Sequence, residues 1–314
     1  MNMPRLDLHG HLEPPAYSTQ VAQALGPAPV PPWTVEAQLE MMAQYQIAAT
    51  VVSLPPPGVF LGDQAQANEL AHQVNEFYAA LVREHPKRYA ALAALPLPDV
   101  EAALAELAHA LDVLRLDGVA LFTQTAGLYL GDPRWEPLMA ELDRRGAYVF
   151  VHPTLPPYTN PLAQTPVWVL EFPFETTRAI THLLYSGVFH RYPRIRFQFA
   201  HLGGAVPFLA HRLASLVERA PGLKLTGQVP EGPLAYLRRL YYDTGLSNHA
   251  PALAATLEVA DCRQVVFGTD WPYALLPPGH DPAPGLTYLG DRRHQVEFEN
   301  ARALVPRLFA KEIA

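Results

Sequence analysis

Leu6-Asp7-Leu8-His9-Gly10-His11 is a short apolar run that ends in two histidines one residue apart. On an extended strand, residues two apart point the same way, so both imidazoles can converge on one point. Working outward, runs of the same kind recur at residues 48–54 (AATVVSL), 89–95, 118–122, 147–151, 195–200 (IRFQFA), 240–243 and 264–268, making eight in all. Stretches of helical period lie between them, among them residues 64–84, 100–114 and 135–145. The last of these carries Leu138 and Leu142 on one face, with Gly146 placed as its C-cap. Near-continuous apolar strands alternating with helices imply a parallel sheet covered on its outer face. Eight such units in one chain predict an α/β fold, a closed (β/α)8 TIM barrel, rather than an open doubly wound sheet. No Gly-x-Gly-x-x-Gly follows any strand, so a dinucleotide fold has no support.

Bulk properties agree with a large, well-filled core. Of 314 residues 49% are apolar and 17% charged, against roughly 25% charged in an average domain. The net charge of −7 and the scattered basic residues argue against nucleic acid or an anionic membrane as partner. A single cysteine, Cys262, excludes an internal disulfide framework and a Cys-rich zinc site. The first residues show no signal pattern, and no apolar run approaches the ~18 residues of a membrane span. A cytoplasmic protein of one domain, residues 1–314, is the expectation. Two proline-rich segments, 14–33 and 273–290, read as loops near the barrel mouth.

In a parallel barrel, catalytic groups stand where strands end. The fifth strand ends Val151-His152-Pro153, the sixth Ala200-His201-Leu202-Gly203-Gly204, and the eighth Gly268-Thr269-Asp270-Trp271-Pro272. Alone, His9-x-His11 is weak: 13 histidines in 314 residues give such a pair about half the time by chance. Its company on the same rim changes that. Neutral imidazoles and a carboxylate are the ligands of a catalytic zinc or similar divalent ion, with a position left open for water or substrate. The nine other histidines fall in helices or loops, where solvated or hydrogen-bonded roles are expected. Asp243, ending the seventh strand, has two roles open to it: orienting a ligand histidine or capping a turn. Glu175 reads as part of a helix start. Binuclear sites on such barrels need a bridging lysine or carboxylate on the fourth strand, which here ends Leu121-Phe122-Thr123-Gln124. The three lysines, Lys87, Lys224 and Lys311, stand at no strand end, so one metal is expected.

These motifs resemble the amidohydrolase superfamily, barrels of the metal-dependent hydrolase type. Within it they are similar to the decarboxylase branch typified by aminocarboxymuconate-semialdehyde decarboxylase and 6-methylsalicylate decarboxylase. The likeness extends over nearly the whole chain, through Asn75-Glu76-Phe77, Pro96-Leu97-Pro98, Gly131-Asp132-Pro133, Phe174-Glu175-Thr176-Thr177-Arg178 and His201-Leu202-Gly203-Gly204. The resemblance implies that His9, His11, His152 and Asp270 hold one divalent metal, zinc with manganese as the alternative, and that His201 is catalytic beside it. It also implies that Arg212 reaches the substrate carboxylate of the neighbouring subunit of a homodimer, and that Trp168 lines the pocket.

Two departures stand out. The family's His-Gly-Gly-Gly reads His201-Leu202-Gly203-Gly204, which narrows the space beside the histidine. No arginine or lysine lies between Arg5 and Arg83, where the semialdehyde decarboxylase grips a second carboxylate, so a monocarboxylic aromatic substrate is favoured. The expected reaction is non-oxidative decarboxylation of a small hydroxyaromatic acid, with Asp270 as proton shuttle and His201 orienting substrate or activating water. The alternative is hydrolysis of a lactone, amide or ester with His201 as base.

Overall fold

The computed structural model describes residues 4–26, 33–158 and 164–310. Eight parallel strands follow one another around the sheet in chain order: β1 (Arg5–His11), β2 (Ile47–Ser53), β3 (Tyr89–Ala93), β4 (Gly118–Phe122), β5 (Tyr148–His152), β6 (Arg196–Phe199), β7 (Tyr241–Asp243) and β8 (Val265–Val266). Side chains alternate between two apolar environments, as the period of two requires. Ala91, Ala93, Val149 and Val151 pack among the surrounding helices, whereas Ala90, Leu92, Tyr148 and Phe150 share an inner cluster with Leu304 and Val305. His152 has the parity of Phe150, so its ring faces the barrel interior.

Closure joins the last strand to the first. The Leu8 amide donates to the Phe267 carbonyl (2.9 Å), the Asp270 amide to the His9 carbonyl (2.7 Å) and the His11 amide to the Trp271 carbonyl (2.8 Å). These bonds run past the short β8 and fix Asp270 directly beside the two histidines of β1. The β1–β2 register shifts between Asp7 and Gly10, a local irregularity of the kind that re-aims side chains near active sites.

The outer layer includes α1 (Pro15–Leu25), α2 (Val35–Gln44), α3 (Gln64–Glu84), α4 (Val100–Ala108), α5 (Glu136–Arg145), α6 (Val167–Tyr185), α7 (Val188–Arg191) and α8 (Val206–Ala214). α5 ends at Gly146 in the left-handed region, φ 57°, as its C-cap position predicts.

Two sequence expectations are corrected. Segment 14–33 is no plain loop: residues 15–25 form α1, which starts with proline at N1, where its missing N–H costs nothing; residues 27–32 lie outside the described residues. Glu175 does not start a helix but sits buried in the middle of α6. Pro173 looks like a helix-start proline, yet the helix begins six residues before it and carries it internally.

Candidate active site

Three of the four rim imidazoles are oriented by a partner on the outer nitrogen. His9 Nδ1 lies 3.0 Å from Asp243 Oδ1, His11 Nδ1 3.4 Å from the Ser53 carbonyl, and His152 Nδ1 2.7 Å from the Pro153 carbonyl. Those acceptors assign the proton to Nδ1 and turn each Nε2 lone pair inward. His9 Nε2 and His11 Nε2 are 3.2 Å apart, and Asp270 Oδ1 lies 3.3 Å from the first and 3.1 Å from the second. The ring of His152 is 4.8 Å from that of His11. The ligand atoms of His9, His152, His201 and Asp270 all lie within 4.8 Å of one another, and all four residues are buried.

Lone pairs facing one another at this distance, away from water, repel unless a positive charge sits among them. The ionisation pattern says the same. Burial alone would make His9 neutral, but Asp243 and Asp270 outweigh it and raise its pKa to about 10. Burial holds His152 well below its ordinary value, with the neighbouring His11 and His9 adding to it. His11 is lowered, chiefly by burial. Burial works to raise Asp270, yet His9, His11 and His201 hold it well below the usual carboxylate range. Without an ion, one proton on His9 supplies the positive charge. A divalent ion bound by three imidazoles and one carboxylate supplies it better, and the donor set suits zinc. The residues therefore fit a metal.

Asp270 bridges two halves of the site. Oδ1 faces the histidines of β1, and Oδ2 lies 3.3 Å from His201 Nε2. The other nitrogen of His201, Nδ1, is buried with no hydrogen-bond partner among the described residues. Backbone strain gathers here: Asp270 has φ 61°, and His201, Leu202, Gly203 and Gly204 are four consecutive left-handed residues at 56°, 52°, 74° and 63°. For Leu202 that conformation costs about 1–2 kcal/mol, offset by the burial of its side chain in the main core.

Asp243 takes both roles that were open to it. Oδ1 accepts from His9, from the His201 amide (3.2 Å) and from the Gly245 amide (3.0 Å), so one carboxylate orients a ligand and shapes a turn. Three supporting residues escaped the sequence reading. Gln198 donates to Asp243 Oδ2 (2.9 Å); its signal was a lone amide in the apolar run IRFQFA. Asp7, two residues before His9, accepts from the Thr269 hydroxyl (2.6 Å) and from the Thr269 and His9 amides. Burial pushes its carboxyl up to about 6 against those bonds. Gly245 is required to be small: a Cβ there would lie 2.7 Å from His9 Nδ1.

At the ends of β2, β3 and β4 lies a small cavity of about 30 Å³, room for little more than one water, lined by Leu54, Val59, Leu95, Leu97, Phe122 and Thr125 among others, with no charged side chain. Phe122 and Phe172 bring their rings to 6.5 and 6.1 Å from that of His152. Trp168 and Arg212 are not drawn to the metal-ligand cluster within the chain. Trp168 stands on α6, 62% exposed, and Arg212 is exposed on α8.

An amidohydrolase family model matches residues 6–307. A 6-methylsalicylic acid decarboxylase of Penicillium expansum is 35% identical, the match covering 98% of this chain and 97% of the relative. A gamma-resorcylate decarboxylase of Rhizobium radiobacter is 27% identical over 86% of each chain. Among solved structures, a dihydroxybenzoic acid decarboxylase from a Polaromonas species, with bound manganese and the inhibitor 2-nitroresorcinol, superposes with a TM-score of 0.82, at 22% identity and over 99% of each chain. That last likeness speaks for the barrel alone. The rim of histidines, the barrel that carries it and a family match spanning nearly the whole sequence agree: the chain belongs to the amidohydrolase family.

Proposed function

We propose that the chain, acting as one catalytic domain, is a metal-dependent decarboxylase of a small hydroxyaromatic carboxylic acid. The observation that carries this reading is Asp270. It faces the metal ligands with one oxygen and His201 with the other, and the rings of Phe122 and Phe172 stand against His152. Relatives named as decarboxylases of hydroxybenzoic acids support it.

His9, His11, His152 and Asp270 would hold one divalent ion, zinc by its donor set, with manganese, present in the Polaromonas relative, as the alternative. When bound, the ion supplies Lewis-acid attraction for the carboxylate and an adjacent oxygen. The chain's own residues do the rest. Phe122 and Phe172, whose rings stand against His152, would shield the substrate ring from water. His201 Nδ1, the buried nitrogen without a partner, is the atom available to a substrate oxygen. Asp270 rests ionised, so the proton reaches it as part of the cycle, passed from His201 Nε2 across the 3.3 Å that separates them. Asp270 Oδ2 then delivers that proton to the ring carbon bearing the carboxylate. The carbon–carbon bond breaks, its electron pair returns to the ring, and CO2 leaves; one proton is consumed for each CO2 released.

The same reading includes a homodimer and a cytoplasmic location. The N-terminal part of α6 exposes Trp168, Val169 and Phe174, and α8 exposes Phe208 at 84%. Arg212 stands one turn beyond Phe208 on the same helix face. Large apolar side chains gathered on neighbouring helices mark a contact surface, and covering it would carry Arg212 toward a partner's site.

The test compares release of CO2 from salicylate-type acids with ring opening of lactones. The metal-loaded enzyme is expected to release CO2 and leave lactones intact, and Asp270→Asn to lower that rate at least about a hundredfold. Lactone hydrolysis without decarboxylation would reverse the assignment.

A further inference from the structure

A second group of metal-ligating side chains lies away from the barrel mouth, on the outer helical layer. His72 and Glu76 are one turn apart on α3, hence on one face. Glu106 and His109 face them from the end of α4, which passes into a π-helical turn over His109–Val113. The pairing crosses between the helices. His72 Nδ1 on α3 lies 3.4 Å from Glu106 Oε2 on α4, and His109 Nε2 lies 3.1 Å from Glu76 Oε1. The two imidazole rings are 4.9 Å apart, and ligand atoms of His72, Glu76 and His109 all come within 4.8 Å of one another.

We propose that His72, Glu76, Glu106 and His109 form a second metal site, which binds a divalent transition-metal ion of the zinc class and staples α3 to α4. Two imidazoles and two carboxylates are a donor set for such an ion, and two negative charges match its charge. One ligand is already fixed. Glu106 Oε1 accepts from Asn75 Nδ2 at 2.7 Å, and Asn75 is itself buried and tied to the Ala94 backbone by two bonds of 2.9 Å. Oε2 is thereby left aimed at His72, the kind of support that metal ligands require. Tetrahedral coordination brings ligand atoms to about 3.4 Å from one another. His72 and Glu76, 48% and 45% exposed, have room to swing in by the remaining ångström. This site shares no residue with the barrel rim and does not depend on the reaction proposed there.

The experiment equilibrates the full-length enzyme and a His72→Ala/His109→Ala variant with Zn2+ at about micromolar free concentration. It then counts bound zinc per chain by mass spectrometry and follows thermal unfolding with and without the ion. The variant is expected to hold one zinc equivalent fewer than the wild type, and to lose the part of the zinc-induced rise in Tm that the wild type shows. That difference is the readout, whatever ion the barrel holds. Equal zinc counts and equal shifts in Tm would overturn the proposal and leave two ordinary surface His–Glu pairs. If the double variant fails to fold, Glu76→Gln, which keeps the side chain's shape, decides. A zinc affinity weakened about tenfold or more at this site supports the proposal, and an unchanged titration ends it.

Discussion

At the scale of single residues, His9 is where charge, metal and proton meet. In the ion-free protein its pKa rises from 6.5 to about 10, because two carboxylates outweigh its burial. A raised histidine contributes stability fully below its unfolded value near 6.5 and loses it as pH rises through the folded value near 10. The same proton competes with a metal. Binding an ion at pH 7 to 9 must expel it, so apparent metal affinity is expected to climb about tenfold per pH unit over that range. About one proton should be released per ion, measurable with an indicator in weak buffer. Asp243→Asn, which removes one of the two carboxylates, should shift this dependence to lower pH. Uptake independent of pH between 7 and 9 would contradict the assigned ionisation. At this scale the candidate ligands were legible because His9, His11 and His152 lie at strand ends and Asp270 follows closely on the eighth apolar run. Asp7 was not, because a carboxylate two residues before a histidine announces no partner until Thr269 arrives from across the chain.

At the scale of elements, the strands were readable because buried parallel strands leave continuous apolar runs. All eight lie within two residues of the expected spans, with β3 and β8 each ending two residues early. α1 was not readable, since proline density signals a loop unless one proline falls at N1. Contacts between strand ends were out of reach as well, and Gly245 shows the reason. Nothing local sets it apart from other glycines, yet it lets the turn after β7 pass against the imidazole of β1. Gly245→Ala should therefore act on the metal site more than on the fold. We expect metal content after dialysis to fall by about half or more, from loss of the Asp243 bond that orients His9. The far-ultraviolet circular dichroism should stay unchanged. A fully loaded Gly245→Ala protein would mean that the turn has slack to move aside.

For the whole molecule, the barrel brings five residues from four strand ends to one point but leaves Arg212 and Trp168 on its outside. The resemblance implied that Arg212 serves the neighbouring subunit's site and that Trp168 lines the pocket, and the proposed homodimer would reconcile Arg212's role with its exposure. Subunit mixing tests it. Arg212→Ala and His201→Ala proteins, each inactive alone, should regain roughly a quarter of the wild-type rate after mixing. Random reassortment pairs half of the chains as heterodimers, and each heterodimer carries one site with both residues intact. No recovery, from subunits shown to exchange, would place Arg212 outside its partner's chemistry.

Decarboxylation requires the ring carbon that loses CO2 to gain a proton, which the proposed mechanism draws from solvent-exchangeable Asp270. Turnover of a 2-hydroxybenzoic acid by the metal-loaded enzyme in D2O, followed by NMR, reads that step. The product is expected to carry a single deuterium at the carbon that bore the carboxylate, with none formed by Asp270→Asn. Unchanged acid, or an Asp270→Asn enzyme that deuterates at the wild-type rate, would contradict the role assigned to the residue that joins the metal ligands to His201.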